Sequence, residues 1–270
     1  MEIPLFPLHT VLCPGIVMPL HIFEDRYRAL TRHCLDTGAP FGVVLIREGV
    51  EVGTGTSLAL AGVGALVEIR EAGRYPDGRY DLLAAATGRF TIDAVDPERE
   101  PYLVADVTPL EDEVGDEARA ERLAALAIRR FIRYLELMRA RDGETSEVLD
   151  IRVEVEGSRS VDAPDDEDDP AEEAEEGAVF AIEPERVAQP PDAERQRDLV
   201  IPDDPTVLSY LLSGIVQIEL PRRQALLEAE TTVDRLDALV KLLDREVLLL
   251  RSRLRLFAPD PRLMRGPRRS

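Results

Sequence analysis

Ile3–Tyr27 reads IPLFPLHTVLCPGIVMPLHIFEDRY, with Pro4, Pro7, Pro14 and Pro19 spread among apolar residues ahead of a charged helix start. Proline lacks a backbone donor and fixes φ, so this stretch cannot be a central strand along its whole length. It reads as short edge-strand pieces and turns with buried side chains, Pro14-Gly15 forming one turn. It has neither the basic head nor the unbroken apolar core of a signal peptide. The expectation is the first element of a cytoplasmic, β-rich domain.

Working outward, Glu24 to Asp36 carries Tyr27, Leu30, Cys34 and Leu35 at helical spacing, and Gly38 is placed to end that helix. Residues 41–46 form a short apolar run that predicts a buried strand, and 63–69 another. Between them, glycines recur from Gly49 to Gly64, which excludes a helix. Tyr75-Pro-Asp-Gly-Arg-Tyr80 has hairpin chemistry. Asp81–Thr87, Arg89–Val95 and Tyr102–Pro109 continue the strands, with breaks expected at Gly88 and over 97–101. Closely spaced short strands predict a barrel or sandwich.

Beyond residue 112 the pattern becomes helical. Asp116–Arg141 places Leu123, Leu126, Ala127, Phe131, Tyr134, Leu135 and Met138 on one face. Residues 157–197 hold dense acidic runs, including Asp165–Asp169, and are expected to form a solvated, disordered insertion. Asp204 caps a helix opened by Pro205, with Val207, Leu208, Leu211 and Leu212 as its apolar face. Pro221 opens a short helix, and Thr231 or Thr232 caps a long one. Val233, Leu236, Val240, Leu243, Val247, Leu250, Leu254 and Phe257 stripe that last helix, and Leu239, Leu242 and Leu249 widen the stripe. The pattern favours a helical bundle, with self-association through the last helix as the rival. Residues 259–270 form an Arg- and Pro-rich tail expected to fray. The resulting division is a β-rich domain over 1–112 and a helical part over 113–258.

Composition excludes several functions. The net charge of −20 over 270 residues opposes broad affinity for nucleic acid or anionic membranes. Only the Arg251–Arg269 tail offers a local basic footprint. No apolar run approaches the ~20 residues of a membrane span. Cys13 and Cys34 are the only cysteines, too few for a disulfide framework. Lys241 is the only lysine, and no Gly-rich phosphate loop can be built around it. The same count leaves a Ser–Lys protease only Lys241 as base. His9, Cys13, His21, His33 and Cys34 lack the spacing of a zinc site or a nucleophile–base pair. No metal, cofactor or catalytic residue is expected.

Certain motifs carry a resemblance. Pro4-Leu-Phe-Pro7, Pro14-Gly15, Pro19-Leu-His-Ile-Phe-Glu24 and Arg26-Tyr27 resemble the start of the Lon protease N-terminal domain, also called the Lon substrate-binding domain. Phe41-Gly-Val-Val44 and Thr87-Gly88-Arg89-Phe90 are similar to its later strands. Asp204-Pro205 and Gln224-Ala-Leu-Leu-Glu228 are similar to its helical half. The acidic insertion departs from the pattern, and the ATPase and Ser–Lys protease parts of full Lon are missing. The resemblance implies an α+β fold: a PUA-like pseudo-barrel of short strands, then a helical bundle with a long C-terminal helix. It makes Pro7, Pro14, Gly15, Pro19, Glu24, Arg26, Gly88, Arg89 and Phe90 structural motif residues. It further implies a stand-alone bacterial module that is not an enzyme and binds unfolded or extended polypeptide as an adaptor for a protease or chaperone. The peptide-contact candidates are Phe6, Met18, Phe23 and Tyr27. RNA or a small molecule in the barrel is the alternative ligand, because PUA-like folds elsewhere bind RNA.

Overall fold

β1 (Glu2–Leu8) carries two of the opening prolines and still pairs with two strands. Its first half, Glu2–Leu5, runs antiparallel to β7 (Leu103–Leu110). Its second half, Leu5–Leu8, runs parallel to β3 (Phe41–Glu48). Each half is an edge to one side, so Pro4 and Pro7 cost the ladder little. The remaining strands are β2 (Val17–Ile22), β4 (Ala59–Leu60), β5 (Val63–Arg74) and β6 (Tyr80–Asp96). Their order is β1-β7-β6-β5-β3-β4, and the β1–β3 pair closes a barrel within that path. The computed structural model describes residues 1–48, 59–142 and 201–257. The residues expected as an acidic insertion (157–197) and as a fraying tail (259–270), and most of the Gly-rich stretch from Gly49, lie outside them.

Strand alternation sends side chains into two apolar cores. One holds Phe6, Leu12, Ile22, Tyr27, Leu30, Phe41, Val43 and Val67, and is covered by α1 (Asp25–Thr37). The other holds Ile3, Leu5, Val11, Val44, Phe90 and Val107 with Tyr210 and Leu227 from the helices. Burial on both faces explains the unbroken apolar run over 41–46. The Tyr75–Tyr80 turn forms as expected, with the Gly78 N–H donating to the Tyr75 carbonyl at 3.0 Å and Gly78 at φ 86°.

One expectation fails in β6. Gly88 does not break the strand, which continues for 17 residues. Leu66 pairs with Gly88 but Val67 with Ala86, so Thr87 is the extra residue of a β-bulge. The bulge is where β6 changes its second neighbour. Tyr80–Ala85 pairs with β2, and Arg89–Asp96 pairs with β7.

Five helices are described. After α1 come α2 (Glu117–Asp142), α3 (Pro205–Ile215), α4 (Leu220–Leu227) and α5 (Thr232–Phe257). The Asp204 carboxylate caps α3, accepting from the N–H groups of Thr206 at 2.7 Å and Val207 at 2.9 Å. For α5, Thr231 is the cap: its hydroxyl accepts from the Asp234 N–H at 3.1 Å and donates to the Asp234 carboxylate at 2.7 Å. Thr232 N–H bonds the Glu113 carbonyl at 2.8 Å, so α2 and α5 start side by side. They run parallel, with Arg119–Asp237 at 3.8 Å and Arg130–Asp244 at 2.7 Å in the same order along both. The α2 face is also corrected. Its buried centre is Ala120, Ala124, Ala127, Phe131, Tyr134 and Leu137, while Leu123, Leu126, Leu135 and Met138 flank it half-buried. Alanines at the centre let two helix backbones approach, with the larger side chains closing the margins. On α3, Val207 is 49% exposed and Tyr210 takes the buried place.

Contacts group the described residues 1–142 with those from Asp204 onward as one compact unit. The barrel and these helices therefore belong to one unit. Arg89 of β6 joins them, donating to the Leu227 and Ala229 carbonyls at 2.8 Å each and to Asp112 at 2.6 Å. Arg235 of α5 donates to the Leu226 carbonyl at 3.1 Å and lies 3.8 Å over the Tyr210 ring.

Candidate functional site

The four peptide-contact candidates separate by position. Phe6 and Tyr27 are each 5% exposed and stack on one another with ring centroids 4.1 Å apart, inside the α1 core. Met18 is half-buried and packs against the same core. Phe23 is 61% exposed. It sits where β2 ends and α1 begins.

Phe23 extends a row. Val17, Pro19 and His21 occupy alternate positions of β2 and are exposed, whereas Leu20 and Ile22 turn inward. Among the described residues β2 pairs with β6 alone. The Ala86 N–H donates to the Ile16 carbonyl at 3.0 Å. By antiparallel alternation, the backbone groups of Met18, Leu20 and Ile22 then face β6, and those of Val17, Pro19 and His21 face the open edge. Pro19 has no N–H to lose there, which accounts for a proline in mid-strand. The result is a free strand edge beside a row of exposed side chains.

A polar knot fixes the far end of that row. The His21 Nδ1 lies 2.6 Å from the Asp81 carboxylate, and the Tyr75 hydroxyl donates to the other Asp81 oxygen. These two donors, Tyr75 foremost, hold the Asp81 carboxyl below its usual range, so it is ionised at neutral pH. The proton of His21 is thereby assigned to Nδ1, facing the anion, while Arg79 approaches Nε2 at 3.4 Å. The His21 ring lies 6.2 Å from both Phe23 and Tyr75, giving an aromatic cluster at the hairpin.

The motif residues have structural jobs. Pro7 is buried in β1 opposite Val44. Pro14 and Gly15 turn the chain, Gly15 at φ 81° donating its N–H to the Ala86 carbonyl at 2.8 Å. Glu24 occupies the N-cap position of α1, and its carboxylate accepts from Arg26 Nε at 3.0 Å. The Arg26 guanidinium lies 4.4 Å over the Tyr27 ring. Gly88 pairs with Leu66 beside the Thr87 bulge, Arg89 joins barrel to helices, and Phe90 is wholly buried.

The residues weighed for chemistry stay apart. Cys13 and Cys34 are buried and unbridged, and burial pushes each thiol up to about 11, which suppresses the nucleophilic thiolate. His33 lies against Tyr102, with ring centroids 6.3 Å apart. Among the described residues no three His, Cys, Asp or Glu side chains gather as a metal site, and no helix is long and apolar enough to cross a membrane. Residue-by-residue reasoning missed Asp112, Tyr210 and Arg235. Arg235 did carry a signal: it falls four residues before Leu239 on the apolar side of α5, where a charge needs a buried partner.

Fold and site together define a class, an α+β pseudo-barrel with a helical companion whose exposed feature is a strand edge. The model of the ATP-dependent protease La (Lon) substrate-binding domain matches residues 2–245, and the chain belongs to that family. Lon protease of Flavobacterium johnsoniae is 32% identical over 127 residues, 46% of this chain. Those residues amount to 15% of that protein's length, so the chain spans a small part of its relative. Two solved structures share the fold. A Lon N-terminal domain protein from Xanthomonas campestris has TM-score 0.52 and 22% identity, covering 89% of this chain and 98% of that one. The N-terminal domain of Mycobacterium avium complex Lon protease has TM-score 0.52 and 16% identity, covering 90% and 98%.

Proposed function

We propose that this chain binds extended or unfolded polypeptide segments without acting on them chemically, as an adaptor for a protease or chaperone in the cytoplasm. The carrying observation is the open edge of β2. Its outward N–H and carbonyl groups can accept one more strand, and Val17 and Phe23 beside it offer apolar contact to alternate side chains of the added segment. The family's description as a substrate-binding domain agrees with this reading, and buried, unbridged thiols suit a reducing compartment. Phe6 and Tyr27 take part only by supporting the strand from behind.

Calorimetry and crosslinking with a reduced, carboxymethylated unfolded protein test the proposal. Binding is expected, with the client's mass unchanged after prolonged incubation. The combined Val17→Lys and Phe23→Ser variant should bind at least about tenfold more weakly, since a charge and a lost aromatic anchor together exceed 1.4 kcal/mol. No binding, or equal binding by a folded variant, overturns the proposal.

A further inference from the structure

Between α1 and the β5–β6 hairpin lies a recess of about 300 Å³, lined by Arg32, Leu35, Asp36, Ala72, Arg74 and Tyr80. Tyr80 and Asp81 alternate across β6, so this recess and the His21–Asp81 row lie on opposite faces of the sheet. Neither Arg32 nor Arg74 forms an ion pair among the described residues, although many arginines of this acidic chain do, including Arg28, Arg47, Arg79 and Arg89. Arg74 instead holds its guanidinium 5.9 Å from the Tyr80 ring. Leu35 is 43% exposed on the rim, and Tyr80 forms a buried floor. Two guanidiniums without an ion pair among the described residues thus flank an apolar floor, and one carboxylate, Asp36, shares the lining.

We propose that this recess binds a carboxylate attached to an apolar body, the arginines taking the carboxylate and Leu35, Ala72 and Tyr80 the body. A guanidinium offers a planar fork of donors matched to a carboxylate. The apolar lining favours a hydrocarbon or aromatic group over a bare inorganic anion. Two sources carry this chemistry: the C-terminus of a polypeptide ending in an apolar residue, and a free organic acid. Asp36 opposes either one, so it sets an upper limit on affinity that its removal would raise.

The test titrates the full chain by calorimetry with acetyl-Ala-Ala-Phe as free acid, the same peptide as C-terminal amide, and 3-phenylpropionate. The free acid should bind, and the amide at least about tenfold more weakly, because one charge-assisted contact is lost. Arg32→Gln and Arg74→Gln should each weaken binding about tenfold, whereas Asp36→Asn should strengthen it. Arg32 and Arg74 are exposed, so thermal midpoints of these variants should match the parent and a loss of binding reports the site. Binding of the peptide acid alone identifies a chain terminus as the source, and equal binding of phenylpropionate identifies a small acid; both support the proposal. It is overturned if neither acid binds, if amide and acid bind alike, or if both arginine variants stay within twofold of the parent. The Val17→Lys, Phe23→Ser variant should bind the acid normally, which separates this site from the β2 edge.

Discussion

Gly42 on β3 and Gly64 on β5 both face the ring of Phe90, and their replacement by alanine should separate two kinds of crowding. A Cβ on Gly42 would sit 2.6 Å from Phe90 Cζ and 2.8 Å from Leu5 Cδ2. Both distances fall roughly 1 Å short of the ~3.5–4.0 Å optimum for carbon pairs. Phe90 is wholly buried, so its ring has nowhere empty to move. Overpacking of this kind costs about 1–3 kcal/mol. A Cβ on Gly64 would meet Phe90 Cζ at 2.5 Å and also the Val43 carbonyl oxygen at 2.8 Å. That oxygen belongs to the β3 backbone, where β3 pairs with β5, and it cannot yield as a side chain can. Phe90→Leu removes the ring atoms that clash and alone should cost about 1–2 kcal/mol, the low end of a large-to-small change. Urea unfolding with linear extrapolation should then give a Gly42→Ala, Phe90→Leu double variant whose loss is smaller than the sum of the singles by about 1 kcal/mol or more. Gly64→Ala should gain less relief, since Phe90→Leu leaves the Val43 oxygen in place. If Gly42→Ala and Phe90→Leu add within about 0.5 kcal/mol, the ring is not what demands the glycine.

Among the described residues, Asp112 is the only carboxylate against Arg89 and Arg235, at 2.6 and 3.6 Å, and Asp112→Ala should destabilise the chain by about 2–3 kcal/mol, below the usual 3–5 for a broken buried pair because this carboxylate is 29% exposed. Thermal unfolding should register this as a drop of roughly 2–4 °C per kcal/mol, and an unchanged midpoint would mean the Leu226, Leu227 and Ala229 carbonyls and the Ser209 hydroxyl suffice to hold the two arginines. Asp204→Ala should cost about 1 kcal/mol by freeing two N–H groups at the start of α3, a loss that Asp204→Ser should largely restore. The cysteines give a pH dependence: both thiols are held above their unfolded value of 9.0, at about 11, so their contribution is complete below pH 9 and fades as pH rises towards 11. Folding stability should fall across that interval by up to about 2.7 kcal/mol per thiol, and a Cys13→Ala, Cys34→Ala variant should show a flatter profile. A parent profile as flat as the variant's would refute the assignment.

Much of the fold was legible because its signals are local. The Pro14-Gly15 turn, the Tyr75–Tyr80 hairpin, the Gly38 stop and the Asp204-Pro205 start each depend on a few adjacent residues whose backbone preferences do not need the rest of the chain. The errors fall where the deciding partner is distant. Gly88 looks like a strand break from its neighbours, yet β5 and β7 hold β6 straight through it with a one-residue bulge. Leu123 and Leu126 look like the centre of α2 by size, but the parallel approach of α5 selects the small Ala120, Ala124 and Ala127 instead. For the site, periodicity ranked Phe6, Met18, Phe23 and Tyr27 alike because all four are apolar. Only the alternation of β1, the edge position of β2 and the turn into α1 separate the two buried rings from the exposed one. Arg89, Asp112, Tyr210 and Arg235 come from four separate stretches of chain, and no spacing rule could have gathered them.

The open edge of β2 follows from how the barrel closes. β6 is longer than β7 can cover: β7 pairs with Arg89–Asp96, and the Tyr80–Ala85 half would be bare on that side. β2 covers that half with six residues and, among the described residues, is itself left with one neighbour, because β1 and β3 seal the barrel elsewhere through their parallel pair. A strand with one free side invites pairing with other chains unless it is short or interrupted. β2 is both, with Pro19 removing a donor from the middle of its outward row. Continuous stacking of copies along it is therefore discouraged, while the flanking N–H groups of Val17 and His21 remain able to bond. An edge limited in this way suits brief capture of one extended segment better than permanent association. On this logic Pro19→Val, which restores the missing donor, should tighten client binding and increase self-association together, as followed by calorimetry and light scattering. Tighter client binding without any rise in self-association would show that Pro19 does not act as the guard of this edge.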